Sequence, residues 1–250
     1  MIDVFIQARL GSRRFPKKIF KKIGKYSVLS FLIKRLENMK NVNNIVVLTT
    51  YKKEDDQIVN FCLKNKIKYF RGQNLDLLTR YYKAALKFDS KHIMRITSDC
   101  PFLESKFLKK FINFYMEKKY DLVTNTIKPT YPDGFDFWIF NRKSLNRSFK
   151  YAKLKYQREH MAQYMIDNPK KFKIYNFLSR RDYSKLRLCI DYEKDLILLN
   201  KIFNYFNNIN FSYNDIIKYY KTYRKNFVIN SKYLRNEGLE KSIKDEYKKL

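Results

Sequence analysis

The chain has 250 residues, of which 45% are hydrophobic and 17% aromatic, so it is long and apolar enough to bury a full core and is not expected to be disordered. Its 54 lysines and arginines outnumber its 24 acidic residues and give a formal net charge of +30, which would suit a nucleic-acid-binding module. Because the lysines are spread through nearly every segment, we interpret this charge as a solvated surface and expect no nucleic-acid partner.

Short apolar runs alternate with segments of helix length along most of the chain. The predicted strands cover residues 3–7, 44–50, 67–72, 92–101, 120–126 and 185–191. The predicted helices cover residues 27–39, 53–65, 75–88, 103–119, 156–168 and 193–206. This order is typical of βαβ units, so we predict an α/β fold with a mostly parallel sheet and helices on both of its faces.

Two segments depart from this alternation. Residues 126–155 contain the proline- and aromatic-rich run "IKPTYPDGFDFWIF", and we expect a small, inserted, hairpin-like region there. The tail over residues 211–250 is helix-rich and polar and is predicted to form a C-terminal appendage. No internal repeat or low-complexity linker divides the rest, which we interpret as one domain over residues 1–210.

The run "QARLGSRRFPKK", residues 7–18, is a dense basic loop directly after the first predicted strand. Like charges at this density repel each other unless an anion binds among them. Gly11 would let backbone N–H groups approach a phosphate, and Arg14 and Lys18 could neutralise its charge. The loop matches neither the P-loop pattern nor G-x-G-x-x-G, and an exposed basic surface loop is the alternative interpretation.

Two aspartates lie at the carboxyl ends of later predicted strands: Asp99 near the end of the fourth strand and Asp191 at the end of the last. Ligands of open parallel sheets bind beyond the carboxyl ends of the strands, so both carboxylates should meet the basic loop there. Carboxylates hold Mg²⁺, and Mg²⁺ bridges to phosphates. The combination predicts a site for a nucleoside triphosphate with Mg²⁺, although Asp191 taken alone could be the N-cap of the following helix.

Six motifs occur along nearly the whole chain: "IQARLGSRRFPKKIF", "RGQNLDLLTRYYKAA", "RITSDCPFL", "PDGFDFWIF", "REHMAQYMIDNP" and "RLCIDYEKDL". In this order they resemble the motifs of cytidylyltransferases that make CMP-activated acidic sugars, the KDO and acylneuraminate enzymes. They are most similar to the spore-coat polysaccharide biosynthesis cytidylyltransferase-like branch. The tail "YLRNEGLEKSI" is also similar to that branch.

The resemblance implies a Rossmann-like nucleotide-diphospho-sugar transferase fold, with the nucleotidyltransferase domain over residues 1–210 and an acceptor-side insertion over 126–155. It implies Mg²⁺-dependent transfer of CMP from CTP to a sugar or acidic-sugar acceptor, with release of pyrophosphate, for surface polysaccharide or glycan biosynthesis. It also suggests a homodimer. A nucleotidyltransferase with another base or a phosphorylated acceptor, and a basic nucleic-acid-binding module, are the alternatives.

Residue roles follow from position within the matching motifs. The resemblance implies that Arg14, Lys18 and Asp99 are catalytic and that Asp99 and Asp191 hold Mg²⁺. The nucleotide-binding residues that it implies are Gln7, Ala8, Arg9, Gly11, Ser12, Arg14, Lys18, Arg80 and Asp99. The acceptor-binding residues that it implies are Asp136, Arg158, Glu159 and His160. A structural role is the alternative for His160.

Two residues depart from the family pattern. Lys17 stands where the family usually has glycine, which makes the basic loop stiffer and more basic. Trp138 replaces the usual glutamate of the motif that contains Asp136. We therefore expect the acceptor to differ from those of relatives.

The three cysteines, Cys62, Cys100 and Cys189, are far apart and lack C-x-x-C spacing. This argues against a disulfide framework or a zinc site and favours a reducing compartment. The apolar run at the start is too short for a signal peptide, and no apolar stretch is long enough to cross a bilayer. We expect a cytoplasmic protein without membrane insertion.

Overall fold

The computed structural model describes residues 1–248, which form a seven-stranded sheet, a two-stranded hairpin and helices on both sides of the main sheet. The strands are β1 (Ile2–Gln7), β2 (Lys22–Ile23), β3 (Tyr26–Ser27), β4 (Val42–Thr50), β5 (Lys68–Gly72), β6 (His92–Thr97), β7 (Leu122–Thr124), β8 (Trp138–Asn141) and β9 (Ile174–Asn176). The α-helices are α1 (Val28–Leu36), α2 (Asp56–Lys64), α3 (Leu77–Lys87), α4 (Ser105–Lys118), α5 (Arg142–Tyr151), α6 (Lys155–Glu159), α7 (Gln163–Asp167), α8 (Glu193–Phe206), α9 (Tyr213–Thr222) and α10 (Glu237–Tyr247). Short 3₁₀ helices cover Lys18–Phe20, Lys53–Asp55 and Arg224–Asn230.

The main sheet has the order β5-β4-β1-β6-β8-β7-β9. Its first four strands run parallel to one another, and β8 pairs antiparallel with both β6 and β7. This confirms the predicted α/β fold with a mostly parallel sheet. Within residues 126–155 the one strand is β8, and its antiparallel partners β6 and β7 both lie before that range. The carboxyl ends of β1 and β6 lie side by side, where the Ser98 N–H donates to the Gln7 carbonyl at 3.0 Å.

Apolar side chains cover both faces of the sheet because successive strand residues point in opposite directions. In β1, Val4 and Ile6 join the larger core, which contains apolar residues of α1, α4 and α8. Phe5 points to the other face and joins a second core with Leu78 of α3 and Leu145 of α5. Helices therefore cover the sheet on both sides and leave its carboxyl edge for the loops.

The prediction of a strand over residues 185–191 was wrong. Residues 186–190 are all buried, and a short continuous buried run resembles a strand at the centre of a sheet. The segment has only an isolated parallel bridge between Asp133 and Arg187, with hydrogen bonds of 2.9 and 2.7 Å to the Asp133 backbone. The segment is therefore buried but lies outside the sheet, because a single bridge does not make a ladder.

The predicted helix over 156–168 is divided into α6 and α7. The break falls at residues 160–162, where His160 has φ −112° and ψ 86°, outside the helical region. The other predicted helices, and the five remaining predicted strands, are present with boundaries shifted by a few residues. Helix α5 and strand β9 lie in segments that the periodicity did not assign.

The C-terminal helices pack on the rest of the molecule. Phe211, Ile216, Tyr219 and Phe227 belong to the larger core. These side chains share one core with the sheet. The division between two parts of the chain at residue 210/211 stays a prediction. Across residues 1–248, no helix combines the length and the apolarity needed to cross a membrane.

Candidate active site

The basic loop after β1 is folded back on itself. The buried carboxylate of Asp55 accepts the Leu10 N–H at 2.8 Å, and the Ser12 N–H donates to the Leu10 carbonyl at 2.8 Å. Lys17 has φ 53°, a left-handed conformation that costs a residue with a side chain about 1–2 kcal/mol. This conformation is one that glycine adopts without strain, and it directs the chain inward at Lys18.

Lys18 lies between the two aspartates that the sequence singled out. Its Nζ is 2.7 Å from Asp99 Oδ2 and 2.8 Å from Asp191 Oδ1, and the Ile190 N–H donates to the Asp99 carbonyl at 2.9 Å. Burial alone would lower the pKa of Lys18, but the two carboxylates raise it above its ordinary value. Burial acts against ionisation of Asp99 too, but Lys18 lowers the pKa of that carboxyl to about 2. Lys18 and Asp99 are therefore both charged at neutral pH.

Arg187 fixes Asp191 from the interior. Its buried guanidinium contacts three carboxylates: Asp191 Oδ2 at 2.8 Å, Asp133 Oδ2 at 2.8 Å and Asp195 Oδ1 at 3.0 Å. Asp195 also accepts the backbone N–H groups of Asp191 and Tyr192, both at 2.9 Å. Asp195 thus supplies the capping contacts at the start of α8, and the Asp191 carboxylate faces the basic loop instead of capping the helix.

The C-terminal segment closes over this cluster. Arg14 Nη2 lies 2.7 Å from Asp191 Oδ1, and its Nη1 contacts Glu237, the first residue of α10. The Tyr192 hydroxyl also donates to Glu237, at 2.9 Å. The Tyr192 ring stacks on Tyr233 with ring centroids 3.8 Å apart, and the Arg14 guanidinium lies 5.2 Å from the Tyr192 ring centroid.

A second ion pair joins the C-terminal segment to the acceptor-side insertion. Arg235 pairs with Asp136 and donates to the Tyr131 carbonyl at 3.0 Å. Burial raises the pKa of Asp136 to about 7, although Arg235 acts in the opposite direction. The carboxylate that the motifs assign to acceptor binding is therefore buried beside a cation from the tail.

These groups surround a cavity of about 410 Å³ at the carboxyl edge of the sheet. It lies between the basic loop, the residues after β6, helix α7 and the start of α10. Its lining includes Arg14, Arg95, Asp99, Trp138, His160 and Asp191. The cavity brings together residues that were predicted to bind the nucleotide, the metal ion and the acceptor.

The first residues of the predicted nucleotide-binding loop lie at the edge of this region. Ala8 is buried, whereas Arg9 is exposed and its Nη1 is 3.4 Å from Asn74 Oδ1. A Cβ atom on Gly11 would lie 2.9 Å from Glu54 Oε1. The Glu54 side chain is 45% exposed and can move, so this contact alone does not require glycine at position 11.

Arg80 and Arg158 lie outside the cavity lining and support the loop before α3. The buried Arg80 donates to the carbonyls of Gln73 and Asn74, each at 3.0 Å, and burial lowers its pKa to about 10. Arg158 contacts Asp76, the N-cap residue of α3, at 2.7 Å. Both guanidinium groups are occupied in shaping the loop beside Arg9.

His160 and Glu159 are joined through the last helix. The Ser242 hydroxyl donates to Glu159 Oε2 at 3.0 Å and lies 3.2 Å from His160 Nε2. Burial lowers the pKa of His160 to about 4, with smaller contributions from Arg95 and Arg9. His160 lines the cavity as a neutral imidazole, whereas Glu159 is directed to α10.

Comparison with known proteins finds relatives over most of the chain. A family model described as Cytidylyltransferase matches residues 4–241. The structure of a cytidylyltransferase from Leptospira borgpetersenii superposes with a TM-score of 0.87 at 35% identity, covering 90% of this chain and 96% of that one. An uncharacterized protein of Methanocaldococcus jannaschii is 35% identical over 86% of this chain and 88% of its own length.

A spore coat polysaccharide biosynthesis protein of Bacillus subtilis is 28% identical over 76% of this chain and 81% of its own length. The family match covers almost the whole chain, including the basic loop, both aspartates and the C-terminal segment over the cavity. The chain therefore belongs to the cytidylyltransferase family of nucleotidyltransferases.

Proposed function

We propose that this cytidylyltransferase transfers CMP from CTP to a hydroxyl group of a sugar or acidic-sugar acceptor, with Mg²⁺, and releases pyrophosphate. The observation that carries the proposal is Lys18, held within 2.8 Å of both Asp99 and Asp191 at the carboxyl edge of the sheet. The name of the Bacillus subtilis relative supports a role in surface polysaccharide or glycan biosynthesis.

The two carboxylates fit Mg²⁺ if phosphate oxygens complete its coordination. Asp99 and Asp191 face one point, the Lys18 amine, from separate segments. Within residues 1–248, no group of three or more histidine, cysteine or acidic side chains could hold a metal ion by itself. Mg²⁺ commonly binds one or two carboxylates together with substrate phosphates, and it would neutralise charge on the attacked phosphate here.

Arg14 and Lys18 would act on the triphosphate. The acceptor hydroxyl oxygen forms a bond to the α-phosphorus and releases its proton to water, while the bond from that phosphorus to the oxygen bridging it to the β-phosphorus breaks. Pyrophosphate leaves in a single displacement. Negative charge grows on the departing group, and cations already positioned there stabilise it. The Arg14 side chain is 37% exposed and can reach an incoming phosphate, whereas Lys18 is held in place by its two carboxylates.

The acceptor would occupy the part of the cavity between the insertion and α7. Asp136, Trp138 and His160 line it there. A neutral imidazole and a largely buried carboxyl can hydrogen-bond sugar hydroxyls without adding a full charge to the pocket.

Thermal melts with Mg²⁺ and each of CTP, UTP, ATP and GTP at equal concentration test the nucleotide. We expect CTP to raise the melting temperature most, because a ligand of the folded state stabilises it by about 2.7 kcal/mol at a hundredfold excess over its Kd. Arg14→Ala should reduce the shift for all four nucleotides alike, since phosphate contacts do not distinguish bases. Arg13→Ala is the matched control, because Arg13 is exposed on the same loop.

An equal shift for all four nucleotides, or a larger one with GTP or ATP, would contradict the choice of CTP. Pyrophosphate release with CTP and a panel of sugar acids then tests the transfer itself. The assignment of Arg14 to phosphate binding fails if Arg14→Ala and Arg13→Ala have the same effect.

Glu237→Gln should tighten CTP binding. Glu237 pairs with Arg14 in the structure, so an entering triphosphate must compete with its carboxylate. A partly exposed ion pair contributes about 0.2–1 kcal/mol, so the Kd for CTP should fall by up to about fivefold. Calorimetric titration measures this effect, with Glu240→Gln as control because Glu240 is exposed one turn further along α10. Weaker CTP binding in Glu237→Gln would instead show that this contact belongs to the nucleotide-bound state.

A further inference from the structure

A second cavity lies at the opposite edge of the sheet from the candidate active site. Its volume is about 580 Å³, which is within the range of small-molecule sites. It lies where β6 begins at His92, where β8 ends at Asn141 and where α4 ends, and His92 and Asn141 are direct partners in the β6–β8 pair. The linings of the two cavities share no residue, so the second cavity is a separate feature of the fold.

The second cavity is strongly cationic. Its lining contains no acidic residue and four basic ones, Lys91, Lys119, Arg142 and Lys143. Arg142 pairs with the exposed Asp89 at 2.7 Å. Within residues 1–248, the three lysines form no ion pair, so their charges remain available to a ligand.

Asp121 is a second acid beside the lining, and neutral donors satisfy its carboxylate. It accepts the Ser144 hydroxyl at 2.8 Å, the Lys173 N–H at 2.9 Å and the Asn141 amide at 3.3 Å. With Asp89 and Asp121 both counted, two carboxylates stand against four cations. The cavity therefore keeps a net positive charge.

The second cavity also contains a donor that the fold holds in place. The Tyr115 hydroxyl lies 3.0 Å from His92 Nδ1. Burial raises the pKa of Tyr115, so the phenol stays protonated and donates to Nδ1. Burial lowers the pKa of His92, with the N-terminal amino group and Lys91 acting in the same direction, so the imidazole is neutral and carries its proton on Nε2. In the described part of the chain that N–H has no hydrogen-bond partner, and it can donate to a ligand.

Apolar surface lies beside these polar groups. Met116 is 41% exposed although its side chain is large and apolar. The Tyr120 ring lines the same cavity and stacks on Phe114 with ring centroids 5.6 Å apart, which holds it in place. Lysines on an open surface lack such a concave apolar wall and a positioned donor. The combination matches a molecule that has an anionic group and an apolar or aromatic body.

We propose that the second cavity binds a phosphate monoester whose body is apolar or aromatic. The phosphate lies among the three lysines and accepts the His92 Nε2–H, while the body covers Met116 and Tyr120. Several ammonium groups around one point suit a phosphate dianion, because each is a compact point charge, whereas a carboxylate carries only one negative charge. The proposal does not depend on the proposed function, since it uses no residue of the candidate active site.

The two histidines of the chain allow a specific test, because His92 lines the second cavity and His160 lines the candidate active site. Proton NMR of their imidazole resonances follows each cavity separately during titration of the full chain. Comparison with His92→Gln and with His160→Gln assigns the two resonances. The ligands are phenyl phosphate, benzoate, inorganic phosphate and benzyl alcohol, which separate the phosphate group, the negative charge and the aromatic body.

Phenyl phosphate should shift the His92 resonance with saturation and bind at least about fivefold more tightly than the other three ligands, because it alone makes both the charged and the apolar contacts. Lys91→Gln combined with Lys143→Gln should weaken its binding by at least about fivefold, since two favourable charges are removed. The matched control combines Lys64→Gln with Lys201→Gln, which removes two exposed lysines outside both cavity linings and should bind as wild type does. Thermal melts show that each variant is folded.

The inference is overturned if phenyl phosphate leaves the His92 resonance unchanged or shifts only that of His160. It is also overturned if the two double variants weaken binding equally, because overall charge alone would then attract the ligand. Equal affinity for inorganic phosphate or benzyl alcohol would show that only one half of the ligand is recognised, and equal affinity for benzoate would remove the phosphate. The wild-type titration decides these points without any lysine variant.

Discussion

Asp99→Asn should reduce nucleotidyl transfer by at least about a hundredfold while leaving the protein folded. The substitution keeps the shape of the side chain but removes the negative charge that faces Lys18 and, in the proposed mechanism, Mg²⁺. Lys18 retains Asp191 as a partner at 2.8 Å, so its buried charge stays neutralised and the stability should change little. Steady-state pyrophosphate release and a thermal melt measure the two effects.

The matched control is Asp89→Asn. Asp89 forms an exposed ion pair with Arg142, so its loss should leave activity unchanged. Near-normal turnover in Asp99→Asn would remove Asp99 from the metal site. A large drop in melting temperature would assign it a structural role instead.

The order of elements explains why part of this site could be predicted. Lys18, Asp99 and Asp191 each follow an apolar, extended segment, and such segments end at the carboxyl edge of a parallel sheet. Their convergence depends on this rule and not on details of packing. Residues 185–191 were wrongly predicted as a strand, since they are buried without joining the sheet. The segment nevertheless ends at the same edge of the sheet, so Asp191 lies beside Lys18.

The contacts made by the C-terminal segment were not predicted, although the tail "YLRNEGLEKSI" resembles the family. Glu237 meets Arg14 across 223 positions, and Arg235 meets Asp136 across 99 positions. A charged residue in a polar helical tail is predicted to be exposed to solvent, because the neighbouring sequence does not indicate which surface the tail covers. The tail was therefore predicted as an appendage, and its position over the cavity was missed.

The roles of two motif arginines stay predictions. Arg80 was assigned to nucleotide binding and Arg158 to acceptor binding, and in the structure their donors meet Gln73, Asn74 and Asp76. Arg95 was not selected, although its strand places polar or charged side chains at alternate positions before Asp99. Whether an arginine is free or occupied depends on partners distant in sequence, and only the folded chain supplies them.

Arg187→Leu should destabilise the protein by about 3–5 kcal/mol, which is typical when one partner of a buried ion cluster is removed. The Arg187 side chain is 4% exposed and contacts Asp133, Asp191 and Asp195, of which Asp195 is fully buried. Chemical denaturation measures the change in the free energy of unfolding. Arg142→Leu is the matched control, because it breaks one pair with an exposed aspartate and should cost no more than about 1 kcal/mol.

The decrease in the free energy of unfolding caused by Arg187→Leu should be larger at higher pH. Burial already raises the pKa of Asp133 above its ordinary value, with Arg235 and Arg187 acting to lower it. Removing Arg187 raises that pKa further, so the folded variant binds a proton that the unfolded chain releases near its ordinary value of 3.8. A group whose pKa is raised on folding contributes less stability as pH increases. The destabilisation by Arg187→Leu should therefore be larger at pH 8 than at pH 5, whereas a loss of packing alone would be the same at both.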